Sequence, residues 1–71
     1  MILDLHGKTH SDAKSAIEFF LNNADYPVYI ITGNSNSMKN ILEKELNKRG
    51  LYAYYLNPNN LGKILISDKQ I

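Results

Sequence analysis

Four short apolar runs and two apolar stripes at helical spacing divide this chain. In the first run Leu3 and Leu5 alternate with Asp4 and His6 before Gly7, and a period of two predicts a strand over residues 1–5 with one greasy face and one polar face. Thr9, with Asp12 three residues on, predicts a helix start. Ala13, Ala16, Ile17, Phe20, Leu21 and Ala24 then recur on one helical face, while Lys14, Ser15, Glu18 and Asn22 take the other side. Phe19 falls off the stripe, and the pattern predicts that it covers the border. Residues 22–27 read as a turn, because Pro27 disfavours helical geometry in Tyr26.

Val28, Tyr29, Ile30, Ile31 and Thr32 are β-branched or aromatic with almost no polar alternation, the pattern of an interior strand. Gly33, Asn34, Ser35, Asn36 and Ser37 form a small polar loop, with Ser37 the predicted N-cap of a second helix. Met38, Ile41, Leu42 and Leu46 give that helix its apolar face, flanked by Lys39, Glu43, Lys44 and Glu45. Lys48 and Arg49 suit the negative end of the dipole, and Gly50 reads as the residue that ends the helix. Residues 51–56 and 63–67 are two further strands, predicted to pair antiparallel because residues 57–62 make a short, turn-rich joint. Residues 68–71 are expected to be a loose end.

The order β-α-β-α-β-β predicts an α/β two-layer fold with both helices on one face of the sheet, because its two crossovers share one hand. The other face is left bare. Leu3 and Leu5 must face the helices, which puts Asp4 and His6 on the open side or its rim.

Composition narrows the picture. With 71 residues and no cysteine, one domain with a thin core and no disulfide staple is expected. Two histidines without thiols do not make a structural zinc site. No apolar run reaches the roughly 20 residues of a membrane span and nothing resembles a signal peptide, so a soluble, cytoplasmic protein is the expectation. A net charge of +1 makes no case for a polyanion partner by itself. Lys8, Lys14, Lys39 and Lys63 nevertheless fall at strand–helix junctions or strand starts, whereas Lys44, Lys48 and Arg49 read as a solvated helix end.

Ligands of parallel sheets bind at the carboxyl ends of the strands, here His6-Gly7 and Thr32-Gly33. The first end supplies an acid and an imidazole, with α-carbons roughly 7 Å apart in an extended chain. The second supplies a glycine turn entering a helix N-terminus, whose N–H groups and dipole favour phosphate. Together they suggest phosphate binding with acid–base chemistry.

Leu3-Asp4-Leu5-His6-Gly7 followed by a helix, then Ile31-Thr32-Gly33-Asn34 entering a second helix, resembles the small MutS-related (Smr) domain family, with its LDLHG start and central H/T-G-x-G. The resemblance runs from about Ile2 to Ser67. It implies a fold like the C-terminal domain of translation initiation factor 3, with a mixed four-stranded sheet in the order 1-2-4-3. It also implies nucleic-acid binding and, in many members, endonuclease activity on DNA or RNA. By position, the family's acid and histidine fall on Asp4 and His6, and its glycine loop falls on Thr32 and Gly33. Ser35 stands where the family usually has glycine; its Cβ hinders close backbone approach to a phosphate while its hydroxyl offers a donor, which makes binding a firmer expectation than cleavage.

Asp4 and His6 are thus the catalytic candidates, and Gly7, Lys8, Thr32, Gly33, Asn34, Ser35, Asn36, Ser37 and Lys39 the phosphate-contacting ones. No organic cofactor is expected, and a divalent ion such as Mg2+ at Asp4 is left open. Tyr29, Tyr52, Tyr54 and Tyr55 offer ring faces for stacking if they reach the open side, against edge-of-core packing as the plainer role. His10, in the first turn of the first helix, reads as a surface residue. The alternative to a nuclease is a non-catalytic module that binds nucleic acid, or one that docks a protein or a second copy through the bare sheet.

Overall fold

The computed structural model describes residues 1–70. Its elements are β1 (Ile2–Asp4), α1 (His10–Asn22), β2 (Val28–Ile31), α2 (Asn36–Arg49), β3 (Tyr52–Tyr54) and β4 (Lys63–Ser67). They form an open four-stranded mixed sheet in the order β1-β2-β4-β3. β1 and β2 are parallel neighbours, while β4 runs antiparallel to both β2 and β3. The crossover through α2 therefore skips one position, and β4 returns to fill it. Both crossovers step in the same direction across the sheet, so with a common hand both helices lie on one face.

The core sits between the helices and that face. Leu5, Val28, Ile30, Ile64 and Ile66 from the sheet meet Ala13, Ile17 and Leu21 from α1 and Met38, Leu42 and Leu46 from α2. Leu5 is 1% exposed and Leu3 packs partly against the cluster, so the strand faces are those the alternation predicts. β1, β2 and β3 are shorter than predicted, although single backbone hydrogen bonds extend the pairing past the ends of β1 and β2, from the Leu5 amide to the Ile31 carbonyl and from the Thr32 amide to the Gly62 carbonyl. β4 covers residues 63–67 as expected. Residues 68–70 follow it outside any helix or strand, and Ile71 lies outside the described residues. Among the described residues no helix is long and apolar enough to cross a membrane.

Both helix starts are built by side-chain caps. Thr9 Oγ1 accepts a hydrogen bond from the Asp12 amide at 3.1 Å, as the sequence predicts. For α2 the cap is Ser35, whose Oγ accepts from the Met38 amide at 3.1 Å, and not Ser37. Starting two residues earlier brings buried Met38 fully into helical register with Leu42 and leaves Ser37 as a residue of the first turn. At the other end Gly50 closes α2 as its C-cap, in the left-handed conformation.

Two other expectations are corrected. Phe19 covers nothing, being 73% exposed, since it lies one residue off the buried positions of α1. Glu45, expected on a solvated flank, is buried at 3% exposure. It is neutralised from its own helix: Lys48 Nζ and Arg49 Nη1 donate to its two carboxylate oxygens, each at 3.0 Å. Arg49 Nε also donates to Asn22 Oδ1 of α1 at 3.1 Å, so Arg49 ties the two helices together rather than ending in solvent. A buried carboxylate is tolerable only with such pairing.

Two outcomes follow for stability. Leu5→Ala should cost about 2–5 kcal/mol, read as a loss of unfolding free energy in denaturant melts. Burial works to raise the Glu45 pKa, but the hydrogen bonds and charges of Lys48 and Arg49 outweigh it and hold the carboxyl below its ordinary value of 4.5. A lowered folded pKa contributes stability that is present above the unfolded value and lost as pH falls through the folded one. The stability gap between wild type and Glu45→Gln should therefore shrink on acidification below about pH 4.5, measured by urea melts through that range.

Candidate functional site

The carboxyl ends of β1 and β2 lie side by side. Asp4 pairs with Ile31 in the parallel ladder, and the Leu5 amide continues it by donating to the Ile31 carbonyl at 2.9 Å. Burying Leu5 pins the backbone, and alternation turns its neighbours Asp4 and His6 away from the core; both are exposed. Asp4 Oδ1 accepts the backbone N–H of His6 at 2.9 Å. The carboxylate is thus oriented by the chain two residues on, and this oxygen contacts the His6 amide rather than its imidazole. The chain then turns, with the Lys8 amide donating to the Leu5 carbonyl at 3.1 Å, which leaves Gly7, Lys8 and His10 exposed.

At the end of β2 the predicted phosphate residues divide into two sets. Thr32 points into the protein and is 5% exposed, with its hydroxyl 3.1 Å from the Gly33 carbonyl and 3.4 Å from the Gly62 carbonyl. Its side chain holds the turn and does not face a ligand. Gly33 is half-buried with φ +65°, a backbone region that only glycine adopts without strain. Asn34, Ser35, Asn36 and Ser37 are exposed, and Lys39 is half-buried on the first turn of α2. Ser35 has φ −80°, so its backbone needs no glycine. With Met38 N–H capped by Ser35, the amides of Asn36 and Ser37 are those a helix leaves open at its start.

Gly62 is the residue that sequence reasoning missed. The Ile31–Lys63 pairing sets it opposite Thr32. Its carbonyl accepts from the Thr32 amide at 2.8 Å and the Gly33 amide at 3.3 Å, and a Cβ at Gly62 would lie 2.9 Å from the Gly33 α-carbon and carbonyl oxygen. The β3–β4 loop is braced against this contact by its own asparagines: Asn57 Oδ1 accepts from the Asn59 amide at 2.9 Å, and Asn60 Oδ1 from the Gly62 amide at 3.3 Å. A lone glycine immediately before a strand was the available signal.

The site is a surface. A groove of about 570 Å³ lies instead on the helix layer, lined by Lys14, Ile41, Lys44, Glu45, Asn47 and Lys48, and contains none of the residues above. Among the described residues no three His, Cys, Asp or Glu side chains converge as metal ligands. The one carboxylate at the β1 end fits a Mg2+ ion only in a site shared with a ligand's own phosphate oxygens. Compared with protein-family models, curated proteins and solved structures, the chain matches none.

Gly62→Ala should cost about 1–3 kcal/mol through overpacking alone. Denaturant melts would read that loss, and amide shifts at Thr32 and Gly33 would place it at this contact.

Proposed function

We propose that this chain is a nucleic-acid-binding domain of the small MutS-related kind, with the architecture of the initiation factor 3 C-terminal domain, and that it cleaves phosphodiester bonds in DNA or RNA. The observation that carries the reading is the apposition of the β1 end, bearing Asp4 and His6, with the glycine turn that opens α2. A phosphate seated against the Asn36 and Ser37 amides gains two donors and the positive end of the helix dipole. Lys8 and Lys39 on the flanking turns add charge. His6, exposed beside this position, takes the proton of the attacking water or returns one to the leaving oxygen. Asp4 presents its second oxygen to that water or to a phosphate-bound divalent ion, which would supply charge neutralisation. A cytoplasmic location suits this reading.

One contact favours a second reading, a module that binds without cutting. The Asp4 oxygen is engaged by the His6 backbone amide, and an imidazole that lacks a carboxylate partner is a weaker proton carrier.

Turnover and affinity separate the two. His6→Ala should lower cleavage of a labelled oligonucleotide about 100-fold to 10,000-fold while its dissociation constant stays near wild type. Gly33→Val should weaken binding itself, because the turn at φ +65° refuses a β-branched residue. If wild type binds and never cuts, Ser35→Gly becomes informative. Glycine is nearly as good an N-cap, differing by a few tenths of a kcal/mol, so the fold survives; gained cleavage marks Ser35 as the block, and continued silence assigns the binding module.

A further inference from the structure

The sheet face turned away from the helices carries a pattern that the proposed site does not use. The register aligns Ile2, Tyr29, Leu65 and Tyr54 in one row across the four strands, Asp4, Ile31 and Lys63 in the row beside it, and Ser67 with Tyr52 on the other side. No helix covers these rows, since α1 and α2 both pack on the opposite face. Leu65 is nevertheless only 8% exposed. The tyrosines paired with it on either side, Tyr29 and Tyr54, are themselves half-buried, so the face closes over its own apolar centre with aromatic rings.

That arrangement selects its occupant. An interface between copies places an apolar patch at its centre, and here the centre is already covered; the strongly exposed aliphatic side chain on these strands is Ile2, 56% exposed and at the sheet edge. What the face presents is tyrosine rings and the Lys63 cation, with the Asp4 carboxylate at its β1 edge. Lys63, the charged side chain that β2, β3 and β4 place on this face, holds its ammonium 4.6 Å from the Tyr29 ring centroid. Planar groups joined by negative charges fit such a surface. Resting on the function proposed above, we propose that the open sheet face is a stacking platform for the bases of single-stranded nucleic acid, which leads one strand to the β1 and β2 ends.

The spacing argues for a strand without a complement. Tyr52 and Tyr54 lie on one side of β3, about 7 Å apart along the strand. Bases stacked on each other rise only about 3.4 Å, so the two rings suit splayed bases, each on its own tyrosine. In a duplex the base faces are hidden in the stack and unavailable to side chains. Asp4 lies one strand across and two residues along from Tyr29, about 8 Å between α-carbons, so the platform runs directly to the proposed phosphate position.

The test compares a labelled single-stranded oligonucleotide, its duplex form and an abasic oligonucleotide of equal length by fluorescence anisotropy. With five tyrosines and no tryptophan, intrinsic tyrosine quenching reports stacking in the same titration. The single strand should bind at least tenfold more tightly than either competitor and quench the tyrosines. Tyr52→Leu, at a position 42% exposed, should weaken it about 5-fold to 150-fold, the equivalent of one lost stacked base. Phe19→Leu, an exposed aromatic on the helix layer, should bind as wild type does. Equal binding of single strand, duplex and abasic strand overturns the platform, as does wild-type affinity in both Tyr52→Leu and Tyr54→Leu. If Gly33→Val still weakens binding in that case, the proposed function stands without it. Wild-type comparisons across the three probes decide the matter even if a tyrosine variant fails to fold. No binding to any probe overturns both proposals, and a dimer in sedimentation equilibrium that Tyr52→Leu dissociates would assign the face to a second copy.

Discussion

The arrangement of the proposed site depends on one backbone contact, the close approach of Gly62 to Gly33. One carbonyl, that of Gly62, faces the Thr32 amide, the Gly33 amide and the Thr32 hydroxyl, and the missing side chain of Gly62 is what lets it come so near. The consequence reaches both ways along the chain. The turn after β2 is held while its next residues stay exposed, and the β3–β4 loop, which has few apolar side chains of its own to bury, gains an anchor in the sheet. Asparagine carboxamides within that loop satisfy its backbone where no strand does. The turn that enters α2 is therefore held by contacts with a residue about thirty positions away.

The helix layer works by a different principle. Apolar stripes on α1 and α2 bury against one sheet face, and the ends of the two helices are joined by a polar cluster, Glu45 with Lys48 and Arg49, and Arg49 with Asn22. Burial of a carboxylate is unfavourable unless its charge is met, and here Lys48 and Arg49 meet it while Arg49 also reaches across to α1.

Much of this was legible in the sequence, and the exceptions share a cause. Alternation through Leu3, Asp4, Leu5 and His6 placed one face inward, the Thr9 and Asp12 spacing located the start of α1, and β4 was read to the residue. The strand order is the one the Smr resemblance implied. These features are local, or follow from rules that bind neighbouring elements. Ser35 and Ser37 were indistinguishable as caps because both are short hydroxyl residues ahead of one apolar stripe; in the folded chain it is Ser35 that accepts from the Met38 amide. Thr32 sat in an apparent binding motif, yet the core parity it shares with Val28 and Ile30 turned it inward. The link from Arg49 to Asn22 and the contact of Gly62 with Gly33 join residues that meet only in the folded chain, so spacing along the sequence did not specify them.

The division between the two sheet faces has a physical reason of its own. The topology places both helices on the same side of the sheet, so among the described residues the second face is finished by the sheet's own side chains. Aliphatic residues there would leave a sticky patch, and charged ones would leave Leu65 and Ile31 without cover. Tyrosine resolves the conflict, because its ring shields the aliphatic neighbour while its hydroxyl and outer ring face remain compatible with water. Lys63 adds to this by holding its ammonium over the Tyr29 ring, 4.6 Å from the centroid, where the ring's negative face attracts it. The rings that make a bare sheet tolerable in water are thereby the same groups that a nucleobase would recognise. On the proposed platform one set of side chains would serve both stability and recognition.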